Sequence, residues 1–120
     1  MRVGVIGSRK WKNKKFVHGV LTRNKDKITE IISGDAEGPD KMGASWARKN
    51  AVELVVCPPD SKRKHRFHYR NWLIAERAVI IIAFWDGSST GTIYTCDYAR
   101  KLGKQVLIVK NGTDIDSIHI

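Results

Sequence analysis

Acidic side chains are absent from residues 1–25, a stretch that carries eight Lys or Arg: Arg2, Arg9, Lys10, Lys12, Lys14, Lys15, Arg23 and Lys25. Cysteine is scarce as well. Cys57 and Cys96 are the two present, without CxxC spacing, which excludes a disulfide framework or a thiolate zinc cluster as the organising feature. Reduced thiols are expected, one ending a strand and one on a helix. His65 and His68 lie three apart in KRKHRFHYR, a loop without carboxylate or thiolate, so no metal is expected. No apolar run approaches the roughly 18 to 20 residues of a bilayer span. The leading MRVGVIGSRKWK lacks the long apolar segment and cleavage site of a signal peptide. A cytoplasmic protein with no membrane partner is therefore expected. GxGxxG and GxxxxGK[ST] are missing too, which excludes the dinucleotide fingerprint and the P-loop.

What remains is an ordinary globular composition, 42% hydrophobic and 28% charged, with enough apolar residues to escape disorder. Its 120 residues fit one domain, 1–120, around one core. The net charge of +10 is concentrated in two places. Besides the acid-free start, KRKHRFHYR (62–70) holds Lys62, Arg63, Lys64, Arg66 and Arg70, while the other nine Lys and Arg face twelve acids. Two local positive fields attract phosphate, in a nucleotide or in a nucleic-acid backbone; a solvated, solubilising face is the competing explanation.

The apolar pattern alternates between short strands and amphipathic helices. RVGVI (2–6) reads as a buried strand, and Phe16, Val17, Val20 and Leu21 recur at helical spacing over 13–23. Ile28–Ile32 is the second strand. Pro39 and Asp40 open a helix, with proline tolerated in a first turn that needs no donor. Val52–Cys57 is the third strand, Tyr69–Arg77 a helix with Trp72, Leu73 and Ala75 inward, and AVIIIAFW (78–85) a central strand buried on both faces. A helix over 91–102 and a strand over 104–109 follow, and the tail 111–120 carries no clear signal. This alternation predicts an α/β fold: a Rossmann-like three-layer α/β/α sandwich with a five-stranded parallel sheet in an order such as 3-2-1-4-5. Ligands of such sheets bind beyond the carboxyl ends of the strands, where helices leave to opposite faces.

Three glycine-containing turns fall at that edge: GSRKW (7–11), SGDAEGPD (33–40) and DGSSTGT (86–92). Their amides, with the hydroxyls of Ser8, Ser88, Ser89, Thr90 and Thr92, can converge on one anion at helix N-termini. Glycine is expected there because a side chain keeps phosphate away from the backbone. Each turn alone is ordinary N-cap and turn chemistry. Trp11, flanked by Lys10 and Lys12, is the best candidate to stack on a base, with Trp85 the other; Trp46 and Trp72 are expected in the core.

VIGSR at the first turn, SGDAEGPD at the second, the pair Arg70 and Asn71 opening a helix, and IIAFWDGSSTGT at the fourth turn together resemble the SLOG superfamily in its YspA-like branch. The ordered set runs from Val3 to about Val109. The resemblance implies a domain binding nucleotides or nucleotide-derived small molecules, among predicted sensors or processors in conflict and stress systems. Its relatives include cytokinin-activating phosphoribohydrolases and a DNA-processing protein that binds single strands. Carried over, Gly7, Ser8 and Arg9 form the first phosphate turn, and Gly34, Gly38 and Asp40 the second. Arg70 and Asn71 face the crevice, and Gly87, Ser88, Gly91 and Thr92 form the main phosphate loop, with Asp86 at its start.

Asp35 and Glu37 depart from a GGARG-like string. Thr95 stands where the hydrolases' PGGxGTxxE carries glutamate, and threonine can neither stabilise nor deprotonate at a ribosyl centre. The expectation is a ligand-binding protein with a nucleotide-type ligand and no further cofactor. A nucleotide hydrolase using Asp35, Glu37, Asp40 or Asp86 and a single-stranded nucleic-acid binder are the alternatives, and a homodimer is compatible with the sequence.

Overall fold

Alternation along β1 (Arg2–Gly7) sends Val3 and Val5 to one face of a sheet and Ile6 to the other, and both faces are covered. The computed structural model describes residues 1–57 and 66–120, the side chains of 66–68 excepted. The expectations for Lys62, Arg63, Lys64 and His65, and for the side chains of Arg66 and His68, lie outside the described residues. Strands β2 (Glu30–Ser33), β3 (Glu53–Val56), β4 (Ile80–Phe84) and β5 (Gln105–Val109) complete a five-stranded parallel sheet of order β3-β2-β1-β4-β5. Val3 sits opposite Ile31 on one side and Ile80 on the other. The expected sandwich and strand order are both present, with helices α1 (Lys14–Arg23), α2 (Pro39–Lys49), α3 (Arg66–Arg77) and α4 (Thr90–Lys101).

Helices α1 and α2 cover the face of Val3, Val5, Ile31, Ile82 and Phe84, contributing Val17, Val20, Leu21, Trp46 and Ala47. The indole N–H of Trp46 donates to Thr22 Oγ1 at 3.0 Å, satisfying the polar edge of a buried ring. Helices α3 and α4 cover the other face with Ile74, Ala75, Cys96 and Ala99. The inward face of α3 is therefore Ile74 and Ala75, while Trp72 and Leu73 are half-buried. Helix α3 packs directly over Gly4, where a β-carbon would lie 2.9 Å from Ile74 Cγ2. The displaced Trp72 ring fills the seam to α4 instead, 6.0 Å from Tyr98. A two-pronged ion pair, Arg77 Nε and Nη2 to Glu30 at 3.1 and 3.0 Å, ties the end of α3 to β2. Both cysteines are buried free thiols, and burial pushes that of Cys96 up to about 11. No helix among the described residues is long and apolar enough to cross a membrane.

The tail, silent in sequence, has a defined place. A 3-10 turn at Ile115–Ser117 brings Ile118 against the α1 face, where it is 4% exposed. Asn24, at the end of α1, holds it there. Its amide donates to Val20 O (2.8 Å) and Ile118 O (3.0 Å), and its Oδ1 accepts from the Ile120 N–H (3.1 Å). Asn24→Ala leaves these buried groups without partners and is expected to cost about 1–3 kcal/mol, read from the urea midpoint.

Candidate functional site

Strands β1 and β4 are neighbours, yet the helices that follow them, α1 and α4, lie on opposite faces of the sheet. The crevice this creates beyond the strand ends is the place where an open α/β sheet exposes helix N-termini and loop amides together. The three expected turns do meet there, locked to one another by short contacts. Ser8 is 1% exposed; its N–H donates to Phe84 O, and its hydroxyl accepts from the Asp86 N–H at 3.0 Å. At Gly7 a β-carbon would overlap Phe84 O and the Pro39 ring, and at Gly38, whose φ is 92°, it would lie 2.7 Å from Ser8 O. A β-carbon at Gly34 would lie 2.5 Å from Arg70 Nε. These three glycines let the turns and the Arg70 side chain pack together. Packing by itself therefore requires glycine at all three positions, and of the three Gly7 also lines the cavity.

Gly91 is the exception. It is the second residue of α4, and a β-carbon there meets nothing within 4 Å. The helix is capped by Ser89, whose hydroxyl accepts from the Thr92 N–H and pairs with Thr92 Oγ1 at 3.0 Å. This leaves the Thr90 and Gly91 amides of the first turn without intrahelical acceptors. Asp86 shapes the turn before it. Its Oδ1 accepts from the Ser88 and Ser89 N–H groups, each at 2.9 Å, and from Ser88 Oγ at 3.2 Å. Those backbone donors hold the carboxyl down at about 2, with the Ser8 hydroxyl contributing less.

A cavity of about 350 Å³ opens over these groups. Of the expected site residues it gathers Gly7, Arg9, Asp40, Arg70, Asn71, Asp86, Ser88, Ser89, Gly91 and Thr92. Ser8, Gly34 and Gly38 stand behind its wall as packing residues, and Thr90 is exposed beside it. Asp35, held at φ 57°, faces outward toward Lys14 and Lys41, and Glu37 is on the surface paired with Lys41 at 2.7 Å. Gly87 and Trp85 line a neighbouring groove. Ile6, Lys10, Ala36 and Thr95 also line the cavity; Lys10 and Ala36 lie within the first two turns, whose pattern gives them no role there. Thr95 is fully buried and its hydroxyl donates to Gly91 O at 3.0 Å, so the position of the hydrolase glutamate holds a helix-bound hydroxyl.

Trp11 is corrected outright. It is 4% exposed, its ring lies 5.6 Å from Phe84 and 5.7 Å from Phe16, and its N–H donates to Asn13 O. Packed on both of these partners, Trp11 contributes to the wall of the groove that Trp85 lines but keeps little ring surface for a base. Trp11→Phe is expected to leave nucleotide affinity within about twofold of wild type by titration calorimetry.

Asp40 is the unusual carboxyl of the cavity. It is 4% exposed, and burial pushes it up to about 7 against the opposing pull of Arg70, the Gly34 N–H and its own amide, with Asp35 adding repulsion. Its Oδ2 accepts from Gly34 N at 3.2 Å. Arg70, 6% exposed, is itself lowered by burial, which the Asp40 charge offsets and Arg9 reinforces. The cavity thus places two guanidinium groups and a helix N-terminus against one carboxyl that titrates near neutrality. Among the described residues no cluster of three or more His, Cys, Asp or Glu could hold a metal ion.

Comparison with known proteins places this arrangement. The X-ray structure of DNA processing protein A from Streptococcus pneumoniae aligns with 98% of this chain and 52% of its own, at a TM-score of 0.80 and 22% identity. The chain therefore spans about half the length of that protein. A structural-genomics protein, TM1055, aligns over 88% of this chain and 71% of its own (TM-score 0.67, 18% identity). DNA processing protein A from Helicobacter pylori, which binds single-stranded DNA, does so over 90% and 64% (TM-score 0.63, 18% identity). At these identities the likeness is one of fold. No curated protein matches the chain. The family described as YAcAr, the YspA, cpYpsA-related SLOG family, matches residues 1–64, more than half of the sequence and all of the first two turns. The chain belongs to the YspA, cpYpsA-related SLOG family.

Proposed function

We propose that the crevice binds a nucleotide or nucleotide-derived small molecule, with a phosphate at the start of α4, and that the protein senses or sequesters this ligand. The observation that carries the reading is the bare first turn of α4. Gly91 opens on the cavity with nothing within 4 Å of its missing side chain, opposite the buried Arg70. Helix N-termini stabilise anions through unpaired amides and the macrodipole, and a buried guanidinium adds charge-assisted hydrogen bonds. Arg70→Ala is expected to weaken a 5′-mononucleotide by about 1.5–3 kcal/mol, roughly 10- to 150-fold, in titration calorimetry. Lys101→Ala, at the far end of α4, is the control and should change little. Equal small losses at both positions would point to a diffuse positive field instead of a site.

Three of the four candidate acids, and Thr95, favour binding over hydrolysis. Asp35 and Glu37 lie outside the cavity, and Asp86 is held in its turn as a weakly basic carboxylate. Thr95 offers no carboxyl at the hydrolase position. Incubation with nucleoside monophosphates is expected to release no free base above background while still raising the melting temperature. Base release by the wild-type protein would replace this reading with the hydrolytic one and put Asp40 first in line for mutation. The fold likeness to a single-stranded DNA-binding protein supports a ligand class that includes a nucleotide within a strand.

A further inference from the structure

A second concavity lies on the other side of the Asp86 turn, about 690 Å³ in volume and lined by Lys10, Lys12, Trp85, Asp86, Lys110 and Asn111 among others. Lys10 and Asp86 line both this groove and the crevice, so the two spaces adjoin. We propose that the groove is a second phosphate subsite, and that the ligand is at least two phosphodiester-linked nucleotides: one in the crevice, the next reaching past Lys10 to Lys12 and Lys110. This rests on the nucleotide reading of the crevice.

Three observations support it. First, the charge balance in the groove is one-sided. Three lysines face one carboxylate, and the Oδ1 of that carboxylate already accepts three hydrogen bonds from its own turn. None of the three lysines forms an ion pair with a described residue. Second, Lys110 is held in place: its ammonium lies 5.5 Å over the Trp85 ring, and the indole N–H of Trp85 donates to Ser89 O at 2.9 Å, in the turn that caps α4. The groove and the crevice are thereby built on one loop. Third, the crevice, at about 350 Å³, is at the small end of ligand cavities, which run roughly 300–1,000 Å³. A ligand longer than one nucleotide would extend beyond a cavity of that size. Among the described residues, the side shared through Lys10 leads into a groove lined by further lysines.

The test compares 5′-mononucleotides, the corresponding 5′-phosphorylated dinucleotides and eight-nucleotide single strands by calorimetry, on wild type and a Lys12→Ala/Lys110→Ala double variant. Lys10 is left intact because it also lines the crevice. The wild type is expected to bind dinucleotides about tenfold tighter than mononucleotides. The double variant should narrow that gap to about threefold or less, with mononucleotide affinity unchanged. Equal affinity for one and two nucleotides in the wild type would overturn the subsite and leave the crevice reading standing. An equal loss for both ligands in the variant would overturn it as well. Absence of binding by either ligand would overturn both readings. The longer strands identify the source of the chemistry: affinity that stops rising at two nucleotides supports a free dinucleotide, and affinity that keeps rising with length supports a strand.

Discussion

Asp40→Asn is expected to flatten the pH dependence of stability across the neutral range. The folded carboxyl sits at about 7 against an ordinary value of 3.8, so the folded protein holds this proton more tightly than the unfolded chain does. The contribution to stability is full below 3.8 and is lost progressively as pH rises through about 7. Over that window it amounts to roughly 4 kcal/mol in the wild type and vanishes in the variant. The groups facing Asp40 are Arg70 from α3, Asp35 from its own turn and the Gly34 amide, and the asparagine keeps an oxygen to accept from that amide. Asp86 titrates with the opposite sign, losing stability as pH falls below 3.8 toward about 2, so the two windows do not overlap. Urea unfolding of both proteins from about pH 4 to above pH 7 reads the difference. Parallel curves would mean that Asp40 is already ionised well below neutrality.

The same residue should couple pH to binding. Above its titration range Asp40 adds a negative charge to the cavity proposed to receive the phosphate. The asparagine variant should then bind a mononucleotide about tenfold tighter than wild type at alkaline pH and equally at acid pH. Titration of the phosphate itself is common to both proteins and drops out of the comparison.

The sheet was readable because its signals are local. Five apolar runs separated by helical periods leave few topologies, and AVIIIAFW is the best candidate for the central strand that β4 forms. The turns were readable as turns, and ten residues assigned to them or to the Arg70–Asn71 pair do line one cavity. Their individual roles were not, because those depend on contacts between segments far apart in sequence. Gly7 is required by Phe84 and Pro39, Gly34 by Arg70, and Gly38 by Ser8, and no window around any of them contains its partner. Trp11 shows the same limit: two flanking lysines give it an exposed pattern, while Phe16 and Phe84 close over its ring. Four acids stood as candidates on equal terms, and burial alone separates Asp40 from the rest.

Gly91→Val is expected to abolish nucleotide binding, by about 100-fold or more (~2.7 kcal/mol), without loss of the fold. The backbone at Gly91 is helical and not left-handed, and a β-carbon there touches no protein atom within 4 Å. Valine is also a better helix former than glycine, so the melting temperature of the ligand-free variant should hold or rise slightly. The isopropyl group occupies open space at the cavity that Gly91 and Arg70 line, where the proposed site would hold an anion on the Thr90 and Gly91 amides. Gly91→Ala should fall between, since a single methyl shortens the approach without closing it. Gly34→Val makes the opposite case. It drives its side chain into Arg70 and should lower stability and affinity together. Undiminished affinity in a well-folded Gly91→Val protein would remove the start of α4 from the site and leave Arg9 and Arg70 to hold the phosphate elsewhere along the crevice.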